Sequence, residues 1–274
     1  MSIMCCVYIP EGMVLAADSR LTRTKTGNIT EMPETETTVK TVTIPQIIYT
    51  SSDNTQKVML IKKTNVGISF CGNAIIDGAT VADFIRRFEI EKLSSEDTTE
   101  QIARALADYY KGNETHFFVC GYDSDIPYVF DVNERNVKRL NILEIKQNNS
   151  ETKDVAVDSQ EALSENGVPE NLKKQAEDTT VSTPVEPIVI YGATWAGQTT
   201  AITKMVNNEP TLNVDWGAMP LKEAIDFAEF LIDTTIKYER FCDDIQTCGG
   251  DIDVLVITKD EAFWKQHKIY NPKK

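Results

Sequence analysis

The sequence predicts a single α+β domain layered as helix, sheet, sheet and helix, and three observations carry that expectation. The chain opens on short apolar runs divided by turn residues. Two amphipathic helical stretches follow before its midpoint and two more lie near its end. Strand-like runs occupy the spaces between them. With 274 residues, 41% of them apolar, the chain is long enough to bury one good core.

Residues 3–9 and 13–17 are apolar runs on either side of Pro10, Glu11 and Gly12, the pattern of a tight hairpin whose second strand delivers Asp18 at its end. Residues 19–56 are rich in threonine, with a strand expected near 39–49. Residues 57–61 and 65–71 form a second hairpin around Lys62, Lys63 and Thr64, running straight into Gly72. Over 77–92 the apolar residues Val81, Phe84, Ile85 and Phe88 recur at helical spacing. Thr98 with Gln101 starts a second helix through a capping box, with Ile102, Leu106 and Tyr109 on its buried face and Gly112 as its stop. Strands at 116–121, 128–132 and 137–140, with a turn at 122–125, make a β-meander.

Residues 144–187 differ in kind, because Asn, Ser, Glu, Lys and Thr dominate and aromatic residues are missing. Such a stretch buries too little apolar area to offset its ordering entropy, so a largely flexible insertion is expected, with a short helix at 169–177 as an option. Neither flank holds a complete core, so the insertion does not divide two domains. A strand at 188–191 follows, then a turn at 192–195 entering a helix that runs to about 206. Residues 221–241 form the clearest helix, with Leu221, Ala224, Ile225, Ala228, Leu231, Ile232 and Thr235 on one face. A last strand is expected at 254–258.

Composition narrows the function classes. With 28 basic and 42 acidic residues the net charge is −14, which disfavours nucleic acid and anionic membranes as partners. Six cysteines include no CxxC pair, so no zinc is expected and free thiols in a reducing compartment are the better reading. The opening MSIMCCVYIPEGMV is broken by Pro10, Glu11 and Gly12 and does not read as a secretory leader, and no stretch approaches the ~18 apolar residues of a membrane span. A cytoplasmic location follows.

Ser2 is the candidate nucleophile. With the initiator methionine removed it carries a hydroxyl and a free α-amine, a nucleophile beside its own general base. An α-amine titrates near ~8, so a neighbouring cation would leave it largely neutral and basic at neutral pH. A lysine would supply that cation and an aspartate would keep the lysine charged. A Ser-His-Asp triad is poorly supplied, since the two histidines are His116 in an apolar run and His267 in the polar tail. The adjacent Cys5 and Cys6 point to opposite faces of a strand and read as filler. The run 192–198 lacks the Lys-Ser/Thr ending of a phosphate loop, and Trp195 and Trp216 read as core or interface.

Taken together, these segments resemble the proteasome β-type superfamily of N-terminal nucleophile (Ntn) hydrolases, in particular its bacterial HslV-like and Anbu-like branch. The opening hairpin with Met13-Val14-Leu15-Ala16-Ala17-Asp18-Ser19-Arg20 is similar to that family's first hairpin. Lys57-Val58 and the strand ending in Cys71-Gly72 are similar to its lysine strand and the glycine beyond it. FFVCGYD at 117–123, Ile190-Tyr191-Gly192-Ala193, the long helix and Cys248-Gly249-Gly250 resemble its later parts. The resemblance implies a four-layer αββα sandwich, with Ser2 as nucleophile, Asp18 and Lys57 tuning it, Arg20 bracing the site and the Gly72 N–H stabilising an oxyanion. It implies hydrolysis of peptide or other amide bonds through an acyl-enzyme and a homo-oligomer built as a ring or helical ring. An ATP-dependent unfoldase is a further partner, and no cofactor or metal is called for.

The chain departs from the family pattern at five points. Serine stands where most active relatives begin with threonine. Lys40 rivals Lys57 for the lysine role, because the stretch after Arg20 is long. Asp244 lies one residue off the position of a family aspartate, and Cys248 replaces a serine. Ala193 replaces another. Two alternatives therefore stay open, a catalytically inactive subunit with an assembly or binding role and a small-amide hydrolase of acylase or glutaminase type.

Overall fold

In a computed structural model of the chain, the described residues are 2–31, 40–112, 114–143, 188–207 and 213–268. The insertion at 144–187, with its optional helix at 169–177, lies outside them. The chain divides into two compact units, one of residues 1–141 with 190–274 and one of residues 142–189. In the second, β12 (Ile142–Leu143) pairs antiparallel with β13 (Ile188–Val189).

The larger unit opens with β1 (Ile3–Ile9) and β2 (Gly12–Ala17), the predicted hairpin turning at Pro10 and Glu11. Next come β3 (Leu21–Glu31) and β4 (Lys40–Ser52), a long two-stranded hairpin, and then β5 (Val58–Ile61) and β6 (Val66–Gly72). Only the second half of the β3–β4 pair was anticipated, because charged and threonine residues in β3 leave no apolar alternation to read. A two-residue pair of strands, β7 (Ile75–Ile76) and β8 (Ala79–Thr80), takes the place of the first turn of the helix expected from 77. Asp77 and Gly78 both have positive φ there, the chemistry of a tight turn.

Helix α1 (Val81–Lys92) therefore starts later, capped by Thr80 accepting the Asp83 N–H at 3.2 Å. Helix α2 (Thr99–Tyr109) has the predicted capping box on Thr98 and Gln101, and it ends at Tyr109, before Gly112. The meander follows as β9 (Thr115–Asp123), β10 (Ile126–Asn133) and β11 (Asn136–Arg139).

After β13, residues Gly192–Gly197 form strand β14, not the predicted turn into a helix. They pair antiparallel with β1, placing Trp195 opposite Cys5. This long-range pairing overrides a local sequence with few strand formers. Helix α3 (Thr200–Asn207) begins beyond it, then α4 (Leu221–Arg240), β15 (Asp253–Ile257) and β16 (Ala262–Gln266). No described helix is long and apolar enough to cross a membrane.

Two five-stranded sheets result, ordered β14-β1-β2-β15-β16 and β11-β10-β9-β6-β5. Strand β1 is buried along its whole length, and its two faces serve different clusters as the two-residue strand period requires. Ile3, Cys5, Val7 and Ile9 pack with Ala228, Leu231 and Ile232 of α4. Met4, Cys6 and Tyr8 join Leu15 and Leu255 in a cluster with Phe118, Cys120 and Val129 of the other sheet. A third cluster joins Phe84, Phe88, Ile102 and Leu106 of α1 and α2 to Ile68, Phe70, Phe117 and Val119. The core thus presses on both faces of β1 and β2, and the polar residues that end these strands are held in place by it.

Candidate active site

Asp18 stands at the end of β2 and is wholly buried. Its Oδ1 accepts the Ile3 N–H at 3.1 Å and the Lys57 ammonium at 2.6 Å. Its Oδ2 accepts the N–H groups of Arg20 at 3.1 Å and Gly249 at 3.0 Å. Four donors occupy the carboxylate, which offsets much of the cost of burying its charge.

Lys57 immediately precedes β5, and its side chain is 1% exposed. Its ammonium makes a second bond, to the Arg20 carbonyl at 2.7 Å. The structure thus gives Asp18 the partner Lys57; the side chain of Lys40, at the start of β4, lies outside the described residues.

Arg20 points its fork at Asp53, Nε to Oδ1 at 2.7 Å and Nη2 to Oδ2 at 3.0 Å. This bidentate bond raises the Arg20 pKa and holds the Asp53 carboxyl below the ordinary carboxylate range. Nothing in the sequence marked Asp53, since it lies in a turn with no local pattern.

Ser2 is 4% exposed and its carbonyl accepts the Gln198 N–H at 2.7 Å. Gly197 makes that approach feasible, because it has φ +99° and any Cβ there would overlap the Ser2 carbonyl oxygen. Gly72 ends β6 with φ +103°, where a Cβ would overlap the Glu114 carbonyl oxygen. Ser2 and Gly72 together line a cavity of about 200 Å³ that also includes Cys71, Glu114, His116 and Gly197. They also line a cleft of about 430 Å³ that runs along Arg20 to Thr24 and Asn73 to Ile75. The larger hollow, about 940 Å³ beside α1 and α2, does not include Ser2 but shares Asn73, Ile75 and Glu114 with that cleft.

All five sequence candidates therefore meet: Ser2, Arg20 and Gly72 on the cleft, and the Asp18–Lys57 pair bonded to Ile3, the neighbour of Ser2. His116 also borders the Ser2 cavity, with Nε2 2.5 Å from Asp131 Oδ1. Among the described residues no hydrogen bond joins it to Ser2.

The departures from the family pattern have definite places. Asp244 lines a separate cavity of about 140 Å³ with Gln198, Tyr238 and Glu239. Cys248 is fully buried, burial pushes its thiol pKa far up, and its N–H donates to Glu239 at 2.7 Å. Ala193 sits in β14 opposite Val7. Glu239 is the larger omission of sequence reasoning. On the last turn of α4, it also accepts the N–H of Thr247 at 2.8 Å and the Thr247 hydroxyl at 2.9 Å. It thereby fixes the loop whose Gly249 donates to Asp18. Cys71 lines the same cavity as Ser2, and burial pushes its thiol up to about 12, so it is protonated and inert at neutral pH. Among the described residues no group of three or more His, Cys, Asp or Glu side chains converges as a metal would require.

No protein-family model matches the chain, and no curated protein matches it in sequence. Among solved structures it is similar to the Anbu (Gly-1) mutant from Hyphomicrobium sp. strain MC1. The TM-score is 0.52 and the identity 14%, over 97% of this chain and 86% of that one. The likeness is one of fold. It agrees with the expectation of a mixed α/β architecture of the Anbu kind.

Proposed function

We propose that this protein is an Ntn hydrolase of proteasome-like type, a four-layer αββα sandwich that cleaves peptide or other amide bonds. The observation that carries the reading is the buried Lys57–Asp18 pair, bonded to the residue after Ser2 and set behind a cleft holding Ser2 and Gly72. Two buried charges at a strand end are costly to retain for stability alone.

Removal of Met1 frees the Ser2 α-amine. That amine takes the proton from Ser2 Oγ as the oxygen attacks the carbonyl carbon, and the Gly72 N–H donates to the oxyanion. The proton then passes to the leaving nitrogen as the C–N bond breaks, giving an acyl ester. Water, deprotonated by the same amine, hydrolyses the ester and restores Ser2. The Lys57 cation favours the neutral amine and the developing alkoxide, Asp18 holds the lysine in place, and Arg20, tied to Asp53, braces the turn between them.

On the sequence resemblance alone, the proposal extends to assembly as a homo-oligomeric ring or helical ring, with an ATP-dependent unfoldase as a further partner. Six free cysteines, five of them buried, support a reducing, cytoplasmic setting. The net charge of −14 argues against nucleic acid and membrane partners. A second reading, an inactive subunit with an assembly or binding role, is favoured by two observations. Cys248 replaces the expected serine and is wholly buried, and Asp244 lines a different cavity from Ser2. The purified oligomer assayed on a panel of fluorogenic peptides and simple acyl amides separates the two. Turnover that disappears in Ser2→Ala supports the hydrolase and its substrate class identifies peptidase or small-amide chemistry; equal rates in both proteins refute it.

A further inference from the structure

Lys268 forms a second lysine–aspartate pair taken out of water, in the segment that follows β16. That segment passes residues 53–57: Gln56 Nε2 lies 3.4 Å from His267 Nε2, and the His267 and Trp264 rings lie against each other, tilted by 40° with centroids 3.9 Å apart. The Lys268 N–H donates to Asp253 Oδ1 at 3.1 Å. Its ammonium, on a side chain 6% exposed, forms an ion pair with Asp253 Oδ2 at 2.8 Å. It also donates to the Thr55 carbonyl at 2.6 Å and to Ser19 Oγ. Ser19 Oγ in turn donates to the Asp251 carbonyl, while the Ser19 backbone accepts the Thr55 N–H and donates to Gly249 O, both at 2.9 Å.

The hydrogen bonds of the ammonium go to Thr55 and Ser19 and its charge is opposed by Asp253, so three chain segments meet on one cation. Two of those segments bear the candidate site. Ser19 lies between Asp18 and Arg20, and Thr55 lies between Asp53 and Lys57. Lys268 therefore fastens the segment of Asp18 and Arg20 to the segment of Asp53 and Lys57, and Lys57 itself makes the same link through Asp18 and the Arg20 carbonyl. Desolvation pushes the Lys268 pKa down, and the Asp253 carboxylate opposes that shift.

We infer that Lys268, held by Asp253, is a positioning residue: it fixes Ser19 and Thr55 and so sets the placement of the Asp18–Lys57 pair behind Ser2. Its consequence for catalysis rests on the hydrolase reading above, whereas its consequence for the geometry does not.

The test uses the full chain as wild type, Lys268→Met, and the double variant Lys268→Met with Asp253→Asn, which leaves no buried carboxylate without its cation. Amide hydrogen exchange at Ser19 and Thr55 reads the placement. The inactivation rate constant and binding constant of a β-lactone at Ser2 read the chemistry. In the double variant, exchange at Ser19 and Thr55 is expected to quicken about tenfold or more while exchange in β9 and β10 is unchanged. The inactivation rate constant is expected to fall about tenfold or more with the binding constant within about twofold. Unchanged exchange at Ser19 and Thr55, a rise spread equally through β9 and β10, or an unchanged inactivation rate constant would each overturn the inference. If the wild type is not acylated at all, the hydrolase reading fails and the exchange at Ser19 and Thr55 alone decides the role of Lys268.

Discussion

Lys57–Asp18 and Lys222–Asp226 are the same chemical pair at almost the same distance, 2.6 and 2.7 Å, in opposite surroundings. The first pair is 1% and 0% exposed at the edge of the core; the second is 83% and 55% exposed on the outer face of α4. Water screens the helix pair and takes over either charge when its partner is removed, so such pairs add little to stability. In the buried pair each charge depends on the other and on backbone groups, N–H donors for Asp18 and the Arg20 carbonyl for Lys57, so one partner cannot be lost without stranding the second. Distance alone says nothing about which pair matters. Burial and the count of donors do.

The largest expected effect comes from breaking the buried pair. Lys57→Met leaves the Asp18 carboxylate without its cation and should cost about 3–5 kcal/mol in denaturant unfolding. The proposed hydrolysis should fall below detection in the same variant. An unfolding free energy like that of wild type would mean that Asp18 is compensated by its backbone donors alone.

Gly72→Ala comes next, because it forces a side chain into the left-handed region and against the Glu114 carbonyl. A loss of about 1–3 kcal/mol is expected, and the shifted N–H should lower acylation of Ser2 by roughly 10²-fold. Glu239→Gln keeps the shape but weakens three hydrogen bonds to the 247–248 backbone and the Thr247 hydroxyl. About 1–2 kcal/mol should be lost, with faster hydrogen exchange at Thr247 and Cys248.

The smaller effects lie on the exposed side of the comparison. Arg20 depresses the Asp53 pKa, so the folded state holds this carboxyl ionised at pH values where the unfolded chain begins to protonate it. The resulting stabilisation is present above the ordinary carboxylate pKa of ~3.9 and is lost as pH falls through the lowered folded value. Asp53 is 44% exposed, so the contribution is small. Acid unfolding of Asp53→Asn should be slightly less steep than that of wild type in that window. Lys222→Met should leave the thermal midpoint indistinguishable from wild type, and a clear drop would remove the contrast between the two pairs.

The residues of the candidate site were more legible than the framework that holds them. Asp18, Lys57 and Gly72 each end or begin a strand whose apolar run is plain in the sequence, so their positions follow from local pattern. The Thr98–Gln101 capping box is likewise written within four residues. Asp53, Glu239, Asp253 and Lys268 act through contacts between distant segments, and no spacing in the chain announces them. The same holds for β14. Its Gly-Ala-Thr-Trp-Ala-Gly sequence has weak strand preference, and its conformation is imposed by pairing with β1.

The central claim is that Ser2 acts as an N-terminal nucleophile, and intact mass with N-terminal sequencing of the purified protein tests it most directly. The measurement is made before and after exposure to a peptide epoxyketone, with Ser2→Ala as the control. The expected result is a chain beginning at Ser2 that gains one probe mass on that residue, with no gain in the variant. A chain that keeps Met1 and gains no mass would contradict the claim and leave the buried Lys57–Asp18 pair as the support of a non-catalytic subunit.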